Sequence, residues 1–139
     1  MSDKISDKTF QFELVSPERV LLSEQARMVV IPGEAGDFGV LPEHAPLLSS
    51  IRPGLVVVTT SEGEEKKIFV AGGFADVSTD ICAVLAEEAV NVEDLDVAAL
   101  QSELKGLEED LGFAREDAMK SAQISRRIQL AQAKIAAVA

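Results

Sequence analysis

Short apolar runs separated by turn residues fill the chain up to about residue 90. The turn signals are prolines, glycines and small polar residues, as at 16–17, 32–33 and 52–54. The strand candidates between them are residues 10–15, 20–22, 26–31, 40–41, 47–51, 55–60, 67–71, 74–77 and 81–86. Many short strands at such regular spacing are typical of an antiparallel β-sandwich or barrel.

Two local patterns in this half make sharper predictions. Phe10, Phe12 and Leu14 alternate with polar residues, so a strand here places all three on one face. Residues 61–64 read Ser-Glu-Gly-Glu between two strand candidates. Glycine-containing turns of this length connect the two strands of a β-hairpin, and we expect one at this position.

After residue 90 the spacing of the apolar residues changes from the period of a strand to that of a helix. Residues 91–139 contain no proline and only two glycines. Apolar residues recur there at helical spacing in two stripes, Leu100, Leu104, Leu107 and Leu111, then Ile124, Ile128, Ala131, Ile135 and Val138. The first arm of this region, residues 93–119, is acidic, whereas the residues after 120 include bases and no acid. These patterns predict an antiparallel hairpin of two helices.

The ends of the first helix can also be predicted. Asp94 or Asp96 can cap its start, and Gly112 is expected to break it. A lone hairpin of this size is marginally stable in water, so it should rest on the preceding domain or on a partner. We therefore predict a β-domain over residues 1–90 and a helical hairpin over residues 91–139.

Composition and charge exclude several classes of protein. The 139 residues are 47% apolar with no Trp or Tyr, so the core must be aliphatic. The net charge is −11 and no basic patch occurs, which argues against binding nucleic acid or an anionic lipid surface. No apolar run reaches the ~18 residues of a membrane span, and residues 1–10 lack an apolar signal core. The lone Cys82 is interpreted as a buried apolar residue.

The most unusual stretch of the sequence is the segment 33–54. Three glycines stand three residues apart, at Gly33, Gly36 and Gly39, and two prolines bracket His44, the only histidine. Neither strand alternation nor helical periodicity fits this segment. We expect a surface loop whose defined shape presents residues to a partner.

No constellation of catalytic or metal-binding residues is visible. The three glycines form neither a dinucleotide fingerprint nor a phosphate-binding loop, which would continue with Lys and Ser or Thr. His44 has no second His and no clustered Cys to share a metal. The sequence therefore predicts no catalytic residue, no metal site and no enzyme activity of its own.

Several longer motifs, taken together, resemble a known family. They are Gly33-x-x-Gly36-Asp37-Phe38-Gly39, His44-Ala45-Pro46-Leu47-Leu48, Arg52-Pro53-Gly54, Gly72-Gly73, and Leu85-Ala86 leading into Asp94-Leu95-Asp96. Over nearly its whole length the chain is similar to the ε subunits of bacterial F-type ATP synthases, which are equivalent to the mitochondrial δ subunit. The resemblance implies a β-sandwich of about ten strands followed by two helices.

The resemblance also implies a function. Members of this family are non-catalytic rotor subunits of the central stalk, whose β-domain binds the γ subunit on one side and the membrane c-ring at one end. Torque from proton-driven ring rotation passes through the stalk to the catalytic head. The implied location is peripheral, on the cytoplasmic face of the bacterial inner membrane, or on the matrix side for a mitochondrial chain.

The site residues follow from the same resemblance. The residues that match the family's ring-facing loop are Gly33, Gly36, Asp37, Phe38 and Gly39, with Asp37 at its acidic position. The residues that match the segment near γ are His44, Ala45, Pro46, Leu47 and Leu48.

The hairpin departs from the family pattern in its ATP signature. Some relatives bind ATP through Ile/Leu-Asp-x-x-Arg-Ala, and here Leu95 and Asp96 match but Ala99 stands at the arginine position. Without that guanidinium, an ATP site formed by Asp96, Arg126 and Arg127 would be weak. Asp96 is then more simply a helix cap, and no other cofactor is implied.

The role of the second helix stays open. In some relatives a strongly basic second helix engages the catalytic β subunit and inhibits ATP hydrolysis. Here the only bases in this position are Arg126, Arg127 and Lys134. Either they take part in inhibition, or they face the acidic first arm (Glu103, Glu108, Glu109, Asp110) and stabilise the folded hairpin.

A second reading of the whole chain also stays open. The hydrophobic periodicity and the charge of the chain alone fit a β-sandwich adaptor with a helical tail and an unrelated partner. Only the segment 33–54 and Gly72-Gly73 favour the rotor subunit over that adaptor.

Overall fold

The computed structural model describes residues 8–138, which fall into two compact units, Met1–Val90 and Asn91–Ala139. The first seven residues of the predicted β-domain, including most of the segment tested for a signal core, lie outside the described residues. The last residue of the predicted hairpin lies outside them as well.

The first unit is built from seven strands within its described residues. They are β1 (Phe10–Val15), β2 (Val20–Gly33), β3 (Gly36–Val40), β4 (Leu47–Ser50), β5 (Gly54–Thr60), β6 (Glu65–Val77) and β7 (Ile81–Asn91). The predicted hairpin turn at residues 61–64 joins β5 to β6, which pair antiparallel, and Gly63 there has φ +87°.

The strands form one sheet that closes on itself around a single core. Neighbours follow the order β1-β7-β6-β5-β2-β3, β4 pairs with β6, and an additional β1–β2 pairing closes the circuit. The long strand β2 pairs with β1 along its first half, up to Ala26, and with β5 from Ala26 onward. Because long strands pass from one partner to another, two facing layers enclose the core, and the predicted β-sandwich is confirmed.

The expected number of about ten strands is wrong, because neighbouring runs merge. The runs 20–22 and 26–31 are both part of β2, and the runs 67–71 and 74–77 are both part of β6. Gly72 and Gly73 have φ of +74° and +98°, so the chain bends there without ending the strand. A Cβ on Gly73 would lie 1.8 Å from the Leu85 carbonyl oxygen, so only glycine fits.

The prediction of a purely antiparallel sheet is also wrong in one pair. Strands β1 and β7 run parallel, with Phe12 opposite Cys82 and Leu14 opposite Val84. Strand direction at this position depends on where the chain returns to the sheet, which no local residue pattern records.

The core contains phenylalanine as well as aliphatic side chains, so the expectation of an aliphatic core is confirmed only in part: Phe12 and Phe69 are the largest fully buried side chains of the described residues. Phe12 and Val84 are fully buried, and Phe10 and Leu14 retain 5% and 1% exposure, so the predicted inward face of β1 is confirmed. Cys82 is also fully buried. Burial, with a smaller contribution from the charge of Asp76, raises the pKa of the Cys82 thiol to about 12.

The second unit contains a short 3₁₀ helix (Val92–Asp94) and two longer helices, α1 (Val97–Phe113) and α2 (Ala118–Val138). The Asp96 carboxylate accepts a 3.2 Å hydrogen bond from the Ala99 amide, so Asp96 is the cap. Asp117 caps α2 in the same way, accepting from the Lys120 amide at 3.0 Å. This second cap was not predicted from the sequence.

The two predicted apolar stripes supply the contact between the helices. Leu107 and Ile124 are buried in one cluster with Ala114, and Leu111 and Ile128 pack against it. Gly112 does not break α1, which continues through Phe113. Neither helix in residues 8–138 is long and apolar enough to cross a membrane.

Candidate interaction surfaces

The residues predicted to face the c-ring form the tip of a β-hairpin. Strands β2 and β3 pair antiparallel up to Gly33 opposite Gly36, with Asp37 opposite Pro32. The segment 33–54 is therefore not an irregular loop, because it contains β3 and β4. The strand candidate 47–51 contains β4, whereas β3 was predicted only at Val40, its last residue, because glycines interrupt its apolar pattern.

The tip is defined here as residues 33–39, and close packing explains its residues Gly33 and Phe38. A Cβ on Gly33 would lie 2.8 Å from the Gly36 carbonyl oxygen and 2.9 Å from the Phe38 ring. Gly36 itself has φ +139°. Phe38 is half-buried and packs against the domain core. The phenylalanine thus anchors the tip from below, whereas Asp37 is exposed.

The Asp37 carboxylate forms an ion pair. The Nη2 atom of Arg52 donates to Asp37 Oδ1, and the two side chains remain 42% and 62% exposed, respectively. The backbone around Arg52 is bound to the same hairpin, since the Arg52 amide donates to the Pro32 carbonyl at 3.0 Å. The sequence analysis used Arg52 only as part of a turn, and the contact spans fifteen residues, too far for a local pattern to indicate it.

The segment predicted to lie near γ begins with a tight turn and ends in a strand. The His44 amide donates to the Leu41 carbonyl at 3.1 Å, and Glu43 has φ +67°. The half-buried His44 ring has Nδ1 2.6 Å from the Ala45 carbonyl oxygen, which fixes its orientation. Ala45 and Pro46 are exposed and lead into β4 at Leu47.

An exposed apolar patch, defined here as Leu48, Phe74 and Leu85, lies beyond this turn. The side chains are 68%, 42% and 40% exposed, respectively. Leu48 pairs with Asp76 and Ser50 with Phe74, so Leu48 and Phe74 are diagonal neighbours on the outer face of β4 and β6. Gly73, next to Phe74, lies against the Leu85 backbone of β7. Leu47, 39% exposed and opposite the buried Val77, lies on the other face of β4 and is not part of the patch.

The candidate ATP-binding residues of the helical hairpin, Asp96, Arg126 and Arg127, are not brought together. Asp96 caps the start of α1, whereas Arg127 lines an open depression of about 690 Å³ that also contacts Asp110 and Asp117. Asp110 lies roughly 20 Å along α1 from Asp96 at 1.5 Å per residue. Among the described residues, no salt bridge joins Arg126 or Arg127 to the acidic first arm. Both side chains are exposed.

The described residues offer no centre for a metal. Residues 8–138 contain no group of three or more His, Cys, Asp or Glu side chains that could hold an ion. His44 is oriented by a backbone carbonyl instead. The chemistry available on these surfaces is therefore that of contact: a paired carboxylate, a guanidinium and apolar side chains.

Comparison with known proteins gives concordant results. Residues 9–92 match the family model described as "ATP synthase, Delta/Epsilon chain, beta-sandwich domain". The ATP synthase epsilon chain of Rhodospirillum rubrum is 45% identical over 130 residues, covering 94% of this chain and 96% of its own. That of Paramagnetospirillum magneticum is 42% identical over 139 residues, covering all of both chains.

The fold also matches a solved structure. A chain in the cryo-EM structure of the Euglena gracilis mitochondrial ATP synthase, OSCP/F1/c-ring in rotational state 1, superposes with a TM-score of 0.84. It is 22% identical in sequence, and the match covers 94% of this chain and 82% of that one. Since the family model spans most of the chain and the bacterial relatives span nearly all of it, this protein belongs to the ATP synthase delta/epsilon chain family.

Proposed function

We propose that this protein is a non-catalytic rotor subunit in the central stalk of a proton-translocating F-type ATP synthase. Its role is to couple c-ring rotation to the γ subunit and the catalytic head. The observation that carries the proposal is the 45% identity to an ATP synthase epsilon chain across both the β-domain and the hairpin. An adaptor for an unrelated partner would have no reason to keep that similarity over both units.

The apolar patch is the part of the β-domain best suited to γ. Leu48 belongs to the segment that resembles the family's γ-facing residues, and Phe74 and Leu85 extend it across two further strands. Neighbouring exposed apolar side chains on a strand face favour burial against another protein. His44 and Pro46 shape the turn that leads into this surface.

The tip is the part best suited to the c-ring. It is a short, rigid projection with Asp37 exposed near its end and with Phe38 held in place below. A carboxylate there can pair with basic or amide groups of the polar loops of the ring. Each exposed pair contributes only about 0–1 kcal/mol, so such contacts set orientation more than strength.

The first test uses the chain together with its cognate γ subunit and c-ring. Leu48→Asp should weaken capture of γ, whereas Val20→Asp, at a 59% exposed apolar residue outside the patch, should leave it unchanged. Asp37→Lys should weaken docking to the ring with γ binding intact. Glu62→Lys makes the same charge change in the β5–β6 turn and is the matched control.

Failure of the wild-type chain to bind γ would contradict the rotor function and favour the adaptor reading. Loss of γ binding in both Leu48→Asp and Val20→Asp would indicate general damage rather than a specific surface. Equal ring docking by the wild type and Asp37→Lys would contradict the assignment of the tip.

We further propose that the hairpin restrains ATP hydrolysis through the catalytic β subunit. Arg126 and Arg127 are exposed and form no salt bridge with the first arm within the described residues, so they remain available to an acidic partner. Deleting residues 92–139 should raise the ATPase activity of the assembled complex. Arg126→Gln combined with Arg127→Gln should raise it too, and no change in either variant would contradict inhibition.

A regulatory ATP site on this hairpin would be weak. Ala99 stands where the family signature has arginine. Asp96 is occupied as the cap of α1, far along that helix from Asp110, which lines the same depression as Arg127.

We propose that the complex locates the protein peripherally, on the cytoplasmic face of a bacterial inner membrane. Proteolytic protection in membrane vesicles of known orientation would test that location.

A further inference from the structure

The acidic residue of the tip is not a free charge. Arg52 Nη2 donates to Asp37 Oδ1, so the contact uses one of the two carboxylate oxygens and one of the guanidinium nitrogens. Both side chains stay partly exposed, Arg52 at 42% and Asp37 at 62%. A partner that approaches the tip therefore meets an ion pair rather than a lone carboxylate.

Main-chain contacts hold the two members of this pair in register. The Arg52 amide donates to the Pro32 carbonyl and the Glu34 amide donates to the Ser50 carbonyl, both at 3.0 Å. Between them Gly33 and Ile51 form an isolated β-bridge. The backbone that carries Arg52 is thus attached to the hairpin that carries Asp37 on both sides.

Two neighbours of Arg52 restrict it further. Pro53 follows it, and the residue before proline is confined to extended backbone conformations. A Cβ on Gly54 would lie 3.0 Å from Pro32 Cβ and 3.3 Å from the guanidinium Nη1, so glycine leaves room for the Arg52 side chain beside Pro32. The conformation of Arg52 is therefore restricted to one that allows its contact with Asp37.

We propose that the ring-facing site is the Asp37–Arg52 pair, with Arg52 as a positioning residue that holds the Asp37 carboxylate and adds donors of its own from a partly exposed side chain. The inference rests on the proposed function of the tip. Fixing a flexible carboxylate before contact lowers the entropy lost on binding. The pair fits a partner loop that offers both a donor for Asp37 Oδ2 and an acceptor, such as a carbonyl or carboxylate, for Arg52.

The test is a double-mutant cycle on ring docking, made with the full chain in complex with γ and a detergent-solubilised c-ring. The variants are Asp37→Asn, Arg52→Gln and both together, with Arg52→Lys as the conservative replacement. Lys66→Gln is the matched control, because it removes the 2.8 Å Lys66–Glu24 ion pair elsewhere on the domain. Thermal unfolding and γ binding are measured on every variant.

We expect Arg52→Gln to weaken docking about three-fold, with γ binding unchanged, and Lys66→Gln to have no effect. The double variant should lose about as much as the larger single, because removing either member already frees the other. Arg52→Lys, which keeps a donor but not the planar fork, should recover part of the loss. Added salt should reduce the difference between wild type and Arg52→Gln.

Two results would overturn the inference in distinguishable ways. If Asp37→Asn weakens docking while Arg52→Gln docks like the wild type, or if the two effects multiply in the double variant, Arg52 does not position Asp37 and the proposed function stands. If Asp37→Asn docks as well as the wild type, both the inference and the ring-facing assignment of the tip fail. A merely structural role of Arg52 would lower the melting temperature and γ binding together.

Discussion

The β-domain and the helical hairpin bury their apolar side chains to different depths. Many core residues of the β-domain are fully enclosed, including Phe12, Ile31 and Val58 at 0% exposure. Among the buried residues of the hairpin, Leu100, Leu107 and Ile124 keep 5–8% exposure, and only the small Ala131 falls to 2%. The sheet closes around its core, whereas two helices alone can cover only one side of each stripe.

That difference predicts different stability. A closed sheet holds its strands through contacts distant in sequence, so the β-domain should unfold as one cooperative unit. The hairpin depends on local helical hydrogen bonds and a narrow seam, so it should open at a lower free energy.

The largest effect on stability is expected from removing a buried side chain from the core of the β-domain. Phe12→Ala removes a fully buried ring and should lower the free energy of unfolding by about 3–5 kcal/mol. Phe113→Ala makes the same deletion at a side chain that is 92% exposed and should change stability by less than about 0.5 kcal/mol. Urea unfolding followed by circular dichroism measures both. Similar losses in the two variants would contradict the burial argument.

A smaller and localised effect is expected in the hairpin seam. Leu107→Ala, at 5% exposure, should lower the local free energy of opening by about 2 kcal/mol. Hydrogen exchange should then accelerate in α1 and α2 but not in β5 or β6. Met119→Ala, at a 75% exposed position, is the control. Faster exchange throughout the sheet would show that the two units do not open independently.

The cap of α1 should contribute less again. Asp96→Ala removes the acceptor for the Ala99 amide and should destabilise the first turn by about 1 kcal/mol. Asp96→Asn keeps an acceptor oxygen and should be nearly neutral. Asp94→Ala tests the alternative cap that the sequence allowed. A larger loss with Asp94→Ala than with Asp96→Ala, read from amide exchange in that turn, would reverse the assignment.

The smallest effect is a pH dependence that comes from the β-domain core. Burial raises the pKa of Cys82 from 9.0 to about 12, so the unfolded chain releases this proton first. The stabilisation is complete below pH 9 and is lost as pH rises from 9 towards 12. At pH 9 the loss is about 0.4 kcal/mol. Comparing the urea midpoints of the wild type and Cys82→Ala between pH 8 and pH 9 isolates this loss, and an identical pH dependence of the two midpoints would contradict it.

The same thiol reports on opening of the β-domain. Alkylation requires the thiolate, which the folded core disfavours. Modification of Cys82 should therefore follow the global unfolding of the β-domain rather than the opening of the hairpin. Rapid alkylation under native conditions would show that the core around β7 opens locally.

Periodicity was sufficient where structure depends on neighbours in sequence. The stripes through Leu107 and Ile124 identified both helices and their contact, because residues three or four apart share a helix face. The inward face of Phe12 followed from the period of two in the same way. The cap at Asp96 was one of two candidates, because both aspartates stand close to the start of the helix.

Sequence patterns were insufficient where structure depends on what a segment meets. Gly72 and Gly73 resembled a turn, but their positive φ angles and the closeness of Leu85 make them a bend inside β6. The segment 33–54 appeared irregular, yet main-chain pairing with β2 and β6 makes strands of it. Pairing partners supply the hydrogen bonds that local residues cannot specify.

The sequence by itself determined the two-part organisation, the helix seam and the family to which the chain belongs. Only the tertiary structure decided the closure of the sheet, the parallel β1–β7 pair and the contact of Arg52 with Asp37. The physical reason is that the first set depends on spacing along the chain, which a sequence records directly. The second set depends on which distant segments meet, and that is settled when the whole domain buries its apolar side chains together.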